Sequence, residues 1–298
     1  MSKRRADQED SEPDIELSST DSEDEEMNEE GEEDGEEMVN VDFDFFDFDP
    51  IDFHATKNFL RQMFGDDSIK FDISAFADLI LSNSHVGTTI KTEGKESDPF
   101  SILSVVNLNE NLSKQSFKTL VQYLFEKTSK TAEFSMTLRQ LLSSASKFKT
   151  GWIVSERLIN MPVETTPPMY KMLLEEIENS KNNKEPFEFD YFLVISKVYK
   201  LVASATDKAL EEDQKKSKKS KKQGEEIPEL DYFHYEDQVL EENSLFHGYF
   251  SYTNQSQETD SRRVFNDYGI EPKLSVILLT KDKLALAATQ MAEKFPPY

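Results

Sequence analysis

YFLVISKVYKLV, Tyr191–Val202, opens on five apolar residues in a row rather than on an alternation. A strand with one wet face must alternate, because successive side chains point to opposite sides of the sheet. The unbroken run therefore predicts a central strand covered on both faces. LSVILLT, Leu274–Thr280, repeats that signature near the C-terminus, and GWIVSERLI, from Gly151, is a shorter version. Three strands of this kind, interleaved with helical segments, predict an α/β fold: a mixed central sheet with helices on both faces.

The segments around these strands fill in the layers. In VNVDFDFFDFDP, Val39, Val41, Phe43 and Phe45 share one parity and Asp42 and Asp44 the other, as a half-buried strand requires. The aromatic parity flips at Phe45–Phe46, which predicts a bulge or a strand end. His54–Phe64 and Asp72–Asn83 read as helices. GTTIKTE from Gly87 and FSILSVVNL from Phe100 read as strands joined by a turn of EGKESDP composition. Phe117, Leu120, Val121, Leu124 and Phe125 fall on one helical face, with Ser113 placed as N-cap. Residues 134–146 continue as a helix. Thr166 before Pro167 predicts an N-cap and a proline in the first turn of the next one. A strand is expected over Leu245–Tyr252 and a closing helix over Lys281–Lys294.

Charge divides the chain differently. The formal net charge is −25, yet residues 7–37 hold no lysine or arginine and few apolar side chains. Such a segment cannot bury enough surface to offset its ordering entropy, so residues 1–38 are expected to be a disordered acidic tail. Residues 39–298 are then a single domain. Within the tail, Ser18, Thr20 and Ser22 each precede an acid by three positions (Asp21, Glu23, Glu25), the pattern favoured by acidophilic kinases; incidental hydroxyls in a solubilising tail are the alternative. Asp21, Glu23, Asp24, Glu25 and Glu26 are candidate contacts for a basic partner. So are Glu175, Glu176 and Glu178 on the helix after Pro168, unless they form an ordinary solvated face. Residues 211–229 read as a flexible lysine-rich insert. Its KKSKKSKK, with Lys215, Lys216, Lys218, Lys219, Lys221 and Lys222, fits a nuclear import signal read by an import receptor, or a charge run balancing nearby acids.

Several chemistries are disfavoured. Without cysteine there is no disulfide, thiolate nucleophile or thiolate zinc site, which fits a reducing compartment. No apolar run reaches the roughly 18 residues of a membrane span, and the acidity argues against direct binding to nucleic-acid phosphates. No G-x-G occurs, so neither a dinucleotide fingerprint nor a phosphate loop can be built, and no cofactor is expected. His54 and His85 read as structural or solvated. His234 and His247, near Tyr232, Tyr235 and Glu236, could form an acid/base cluster or simply pack in a sheet. Ser155, Glu156 and Arg157 look like a nucleophile with partners, but strand neighbours face opposite ways. Fixing the strand-to-loop transition through ion pairs or backbone hydrogen bonds is the simpler role for Glu156 and Arg157. Trp152 is expected in the core.

The acidic tail, VNVDFDFFDF, SNSHVGTTIK, FSILSVVNLNE, SERLINMPVETTPPMY, YFLVISKVY, the lysine-rich insert and LSVILLT, in this order, resemble the BCCIP family over residues 38–298. The match is most specific at SERLINMP and PPMY, and the chain looks like the fungal branch. The resemblance implies an architecture similar to the GNAT acetyltransferases but lacking their coenzyme-binding motif: no Q/R-x-x-G-x-G/A turn exists here. No catalytic residue carries over. It further implies a non-catalytic nuclear protein that shuttles to the cytoplasm and escorts a basic ribosomal protein of the large subunit. The alternatives are an export adaptor working with exportin and a lipid kinase, with effects on actin and vesicular transport, and a divergent acetyltransferase. Vertebrate members also contact a recombination mediator and a cyclin-kinase inhibitor.

Overall fold

The structure is a computed structural model that describes residues 42–182, 185–201, 230–253 and 269–297. The compact body is Val41–Tyr298. The candidate tail residues, the candidate phosphosites and the lysine-rich insert lie outside the described residues.

One sheet organises the body. Its strands are β1 Asp44–Phe46, β2 Gly87–Lys91, β3 Ser101–Asn107, β4 Thr150–Arg157, β5 Tyr191–Leu201, β6 Asp231–Tyr232, β7 Phe246–Phe250 and β8 Ile270–Thr280. The spatial order is β1-β2-β3-β4-β5-β8-β7, with β6 on β5. Among the described residues β4 and β5 pair in parallel and the other pairings are antiparallel. The unbroken apolar runs thus report coverage on two faces, not strand direction.

The two faces alternate as period 2 demands. Leu193 and Ile195 of β5, with Val276 and Leu278 of β8, point into one core. Phe192 and Val194, with Ile277 and Leu279, point into the other. The first core is closed by α1 Phe53–Phe64, α2 Ile73–Ser82, α4 Gln115–Lys127 and α5 Ala132–Leu141, around a fully buried Trp152 that packs edge-on to Phe76 and Phe117. The second is closed by α6 Thr166–Asn182, α7 Glu236–Glu242 and α8 Lys281–Lys294. A short α3, Leu108–Asn111, links β3 to α4.

Local signals explain most boundaries. The Asp72 side chain accepts from Ala75 N at 3.1 Å and starts α2, and Thr280 accepts from Lys283 N to start α8. Gly87 begins β2 at φ 145°, and a Cβ there would lie 2.7 Å from Leu103 O and 2.9 Å from Phe48, so only glycine lets the first strands close over β3. Buried Lys91 reaches Asp52 at 2.6 Å and Lys95 O at 2.6 Å, tying β2 to the turn before α1.

Three local expectations are corrected. Lys114, not Ser113, is the N-cap of α4, and it makes no side-chain cap bond. The helix expected over 134–146 runs Ala132–Leu141. Thr166 is helical, because a 3₁₀ turn at Val163–Thr165 feeds α6 directly and moves the entry upstream. The expected strand end is present, since β1 stops at Phe46, but Phe45, expected on the inward parity with Phe43, is exposed, and Phe48 turns inward beyond the strand.

Candidate functional site

β4 and β5 part company halfway. Their pairing ends at Ile153↔Val194, although β4 runs on to Arg157 and β5 to Leu201. β8 covers one edge of β5 along its whole length, so β6, which pairs Val198 and Tyr199, must lie on the edge that β4 has left. The chain from Asp231 into α7 fills this wedge and brings its polar side chains into the interior.

Cations and hydroxyls meet the buried carboxylates there, although Glu156 Oε1 is left without a hydrogen-bond partner. Arg157 donates from Nε and from Nη2 to the two Glu236 oxygens at 3.0 Å each, and from Nη1 to Met161 O at 2.8 Å. Glu156, on the opposite face of β4, takes Lys197 at 2.9 Å. Ser196 Oγ donates to Asp237. Glu241 accepts from Ser275 at 2.9 Å and from Tyr232 at 2.7 Å, and also receives Tyr249. Glu156 and Arg157 therefore fix the strand end by ion pairs, the role their alternation favoured.

His234 stands between the two faces, 3.9 Å from Glu156 and 4.0 Å from Asp237. Burial pushes its pKa down to about 4 against the pull of Glu156, so the ring is neutral near pH 7. Burial, and then Glu236, hold the Asp237 carboxyl well above the usual carboxylate range. The types suit acid/base work, but His234 is buried, only 3% exposed. His247 does not join it; that ring is exposed and meets Ser244 Oγ at 3.0 Å. His85 is exposed and pairs with Glu185 at 2.8 Å. Exposed His54 lies edge-on to Phe53. Among the described residues no cluster of His, Asp and Glu could hold a metal ion, and no helix is long and apolar enough to cross a membrane.

The three α6 glutamates do not share one face. Glu175 and Glu178 are exposed, and Glu178 lies 3.5 Å from Lys281. Glu176 turns toward β2, where Gly87 N donates to its Oε2 at 2.8 Å. Burial pushes its pKa up to about 7; Asp47 and Glu175 add to the rise while Gly87 N–H and His85 oppose it. Asp47 thus joins Glu175 and Glu176 in a second acidic feature, where the end of β1 meets α6. Sequence reading missed it because it is assembled from segments more than a hundred residues apart. Asp–Phe alternation in DFDFFDFD was its only local signal.

The BCCIP family model matches residues 38–240. Protein BCP1 of Debaryomyces hansenii is 58% identical over 274 residues, covering 89% of each chain. Protein bcp1 of Schizosaccharomyces pombe is 42% identical over 250 residues, covering 83% of this chain and 86% of the relative. The crystal structure of BCP1 from Saccharomyces cerevisiae superposes with a TM-score of 0.58 at 29% identity, covering 89% of this chain and 93% of that one.

The wedge and the α6 carboxylate each yield a measurable consequence. Arg157→Met leaves Glu236 buried without its cation and should cost about 3–5 kcal/mol in urea unfolding, whereas adding Glu236→Leu should restore most of it. A double variant no more stable than the single one would show that the pair does not close the wedge. For Glu176 the raised pKa means that the folded chain keeps a proton longer than the unfolded chain. Its contribution to stability therefore falls as pH rises from 4.5 to about 7. Glu176→Gln should raise the Tm relative to wild type more at pH 8 than at pH 5; equal differences at both would exclude titration in that window.

Proposed function

The chain belongs to the BCCIP family, and from that premise we propose that it is a non-catalytic nuclear escort that binds and shields a basic ribosomal protein of the large subunit. The observation that carries this reading is the placement of charge. The chain has a formal net charge of −25, and the histidine-bearing cluster that could have served catalysis is sealed and paired within the wedge. What remains for partners is an acidic exterior. Opposite fields speed encounter and reject acidic competitors.

Each exposed ion pair contributes only about 0–1 kcal/mol, so shielding needs many pairs plus an apolar contact from the folded body. The acidic residues 1–40 supply charge in bulk, with Asp21, Glu23, Asp24, Glu25 and Glu26 at its centre, and phosphates on Ser18, Thr20 and Ser22 would add more.

Affinity of the full chain for a purified basic ribosomal protein should weaken by at least tenfold between roughly 50 and 300 mM salt without vanishing. Removing residues 1–40 should weaken it further and still leave measurable binding; complete loss would show that the body contributes nothing. Lys215, Lys216, Lys218, Lys219, Lys221 and Lys222 serve nuclear import in this reading. Their replacement by alanine should leave the melting curve unchanged and move a fluorescent fusion toward the cytoplasm, and an unchanged distribution would refute the signal.

A further inference from the structure

We propose that the outer edge of β1, with the α6 carboxylates beside it, is a docking edge for an extended lysine- or arginine-rich segment, which adds to the sheet as a further strand. The inference rests on the escort reading and names the surface of the body that does the holding.

Three features converge there. β1 ends the sheet, and among the described residues nothing pairs with its other side. Alternate residues of an edge strand turn N–H and C=O groups outward, a ready template for an incoming strand. Apolar surface accompanies it: Phe45 is 38% exposed and Ile51 44% exposed. Phe45 sits opposite Ile90, which belongs to the core under α6, so its ring emerges on the α6 side of the sheet. An exposed ring there offers its face to a cation.

Exposed carboxylates lie along the same stretch of chain and on α6. Asp42, Asp44, Asp47 and Glu175 are all exposed, and Asp47 is close enough to α6 to act on Glu176. The nearby cations are already engaged: Lys95 pairs with Asp49 at 3.0 Å, Lys91 is buried on Asp52, and His85 holds Glu185. Burial sets the raised pKa of Glu176, and the neighbouring Asp47 and Glu175 add to it. A lysine or arginine laid along β1 would supply countercharge, while its backbone met the free edge. A second copy of this chain fits poorly, since pairing β1 with itself would set Asp42, Asp44 and Asp47 against their like.

The test uses the full chain and a fluorescent peptide of about ten residues alternating lysine and threonine, the composition of a soluble basic strand. A matched peptide carries N-methyl groups on alternate amides, which keeps the charge and blocks strand pairing. The plain peptide should bind, and methylation should weaken it about tenfold. Asp47→Lys with Glu175→Lys should weaken it by at least as much, and exposed Phe45→Ser should weaken it with the melting temperature preserved. Affinity should rise from pH 6 to pH 8 as Glu176 ionises beside Asp47, Glu175 and the His85–Glu185 pair, and Glu176→Gln should flatten that rise. Equal binding of both peptides, full binding by the charge-reversed variant, or β1-dependent dimers in sedimentation would each overturn the docking edge. If the charge-reversed variant still binds the ribosomal protein as wild type does, the edge fails and the escort reading stands. If wild type binds neither the peptide nor the protein, both fall.

Discussion

The bidentate contact between Arg157 and Glu236 fixes the segment that fills the gap between β4 and β5. A parallel pair that stops pairing at Ile153↔Val194 leaves backbone and side chains of two strands facing a gap. Such a gap must be filled by groups that bring their own hydrogen bonds, since an unpaired buried polar atom costs more than a bond made in its place returns. The segment from Asp231 into α7 supplies them. Glu236 binds β4, Asp237 binds β5 through Ser196, and Glu241 binds β8 through Ser275. One short helix thereby pins three strands, and the network is stable only as a whole, because each buried carboxylate would be costly without its neighbour.

This arrangement also explains what the sequence hid. β5 and β8 were legible because their signal is local, an unbroken apolar run in each. The β2–β3 hairpin was legible from its turn composition. EDQVLEE, by contrast, looks like a solvated acidic stretch, yet Glu236, Asp237 and Glu241 are all buried. Their burial depends on Arg157, 79 residues earlier, and on Ser275, 34 residues later, and no window of sequence contains both ends of such a bond. The misplacement of Thr166 has a similar origin. A 3₁₀ turn upstream already carries the chain into helical geometry, so the cap signal before Pro167 had nothing left to start.

The α6 glutamates show where periodicity should have decided more. Residues three apart on a helix share a face and neighbours do not, so Glu175 and Glu178 belong together and Glu176 lies about 100° away. Its inward turn followed from the spacing alone. That its partner would be Gly87 N did not, because the approach depends on a glycine whose φ of 145° brings the start of β2 under the helix.

Carboxylates thus do two opposite jobs in this chain. Inside the wedge they are held by cations and hydroxyls and lend the interior a fixed geometry. At the edge they are exposed along β1, where the Phe45 ring also stands partly out of the core. An unmatched charge on a mobile surface attracts any cation weakly. The same charge beside a rigid free strand edge also selects for backbone direction and side-chain spacing. The bonded interior is therefore the condition for a selective exterior: the wedge network that buries His234 also braces the sheet on which the acidic edge is displayed.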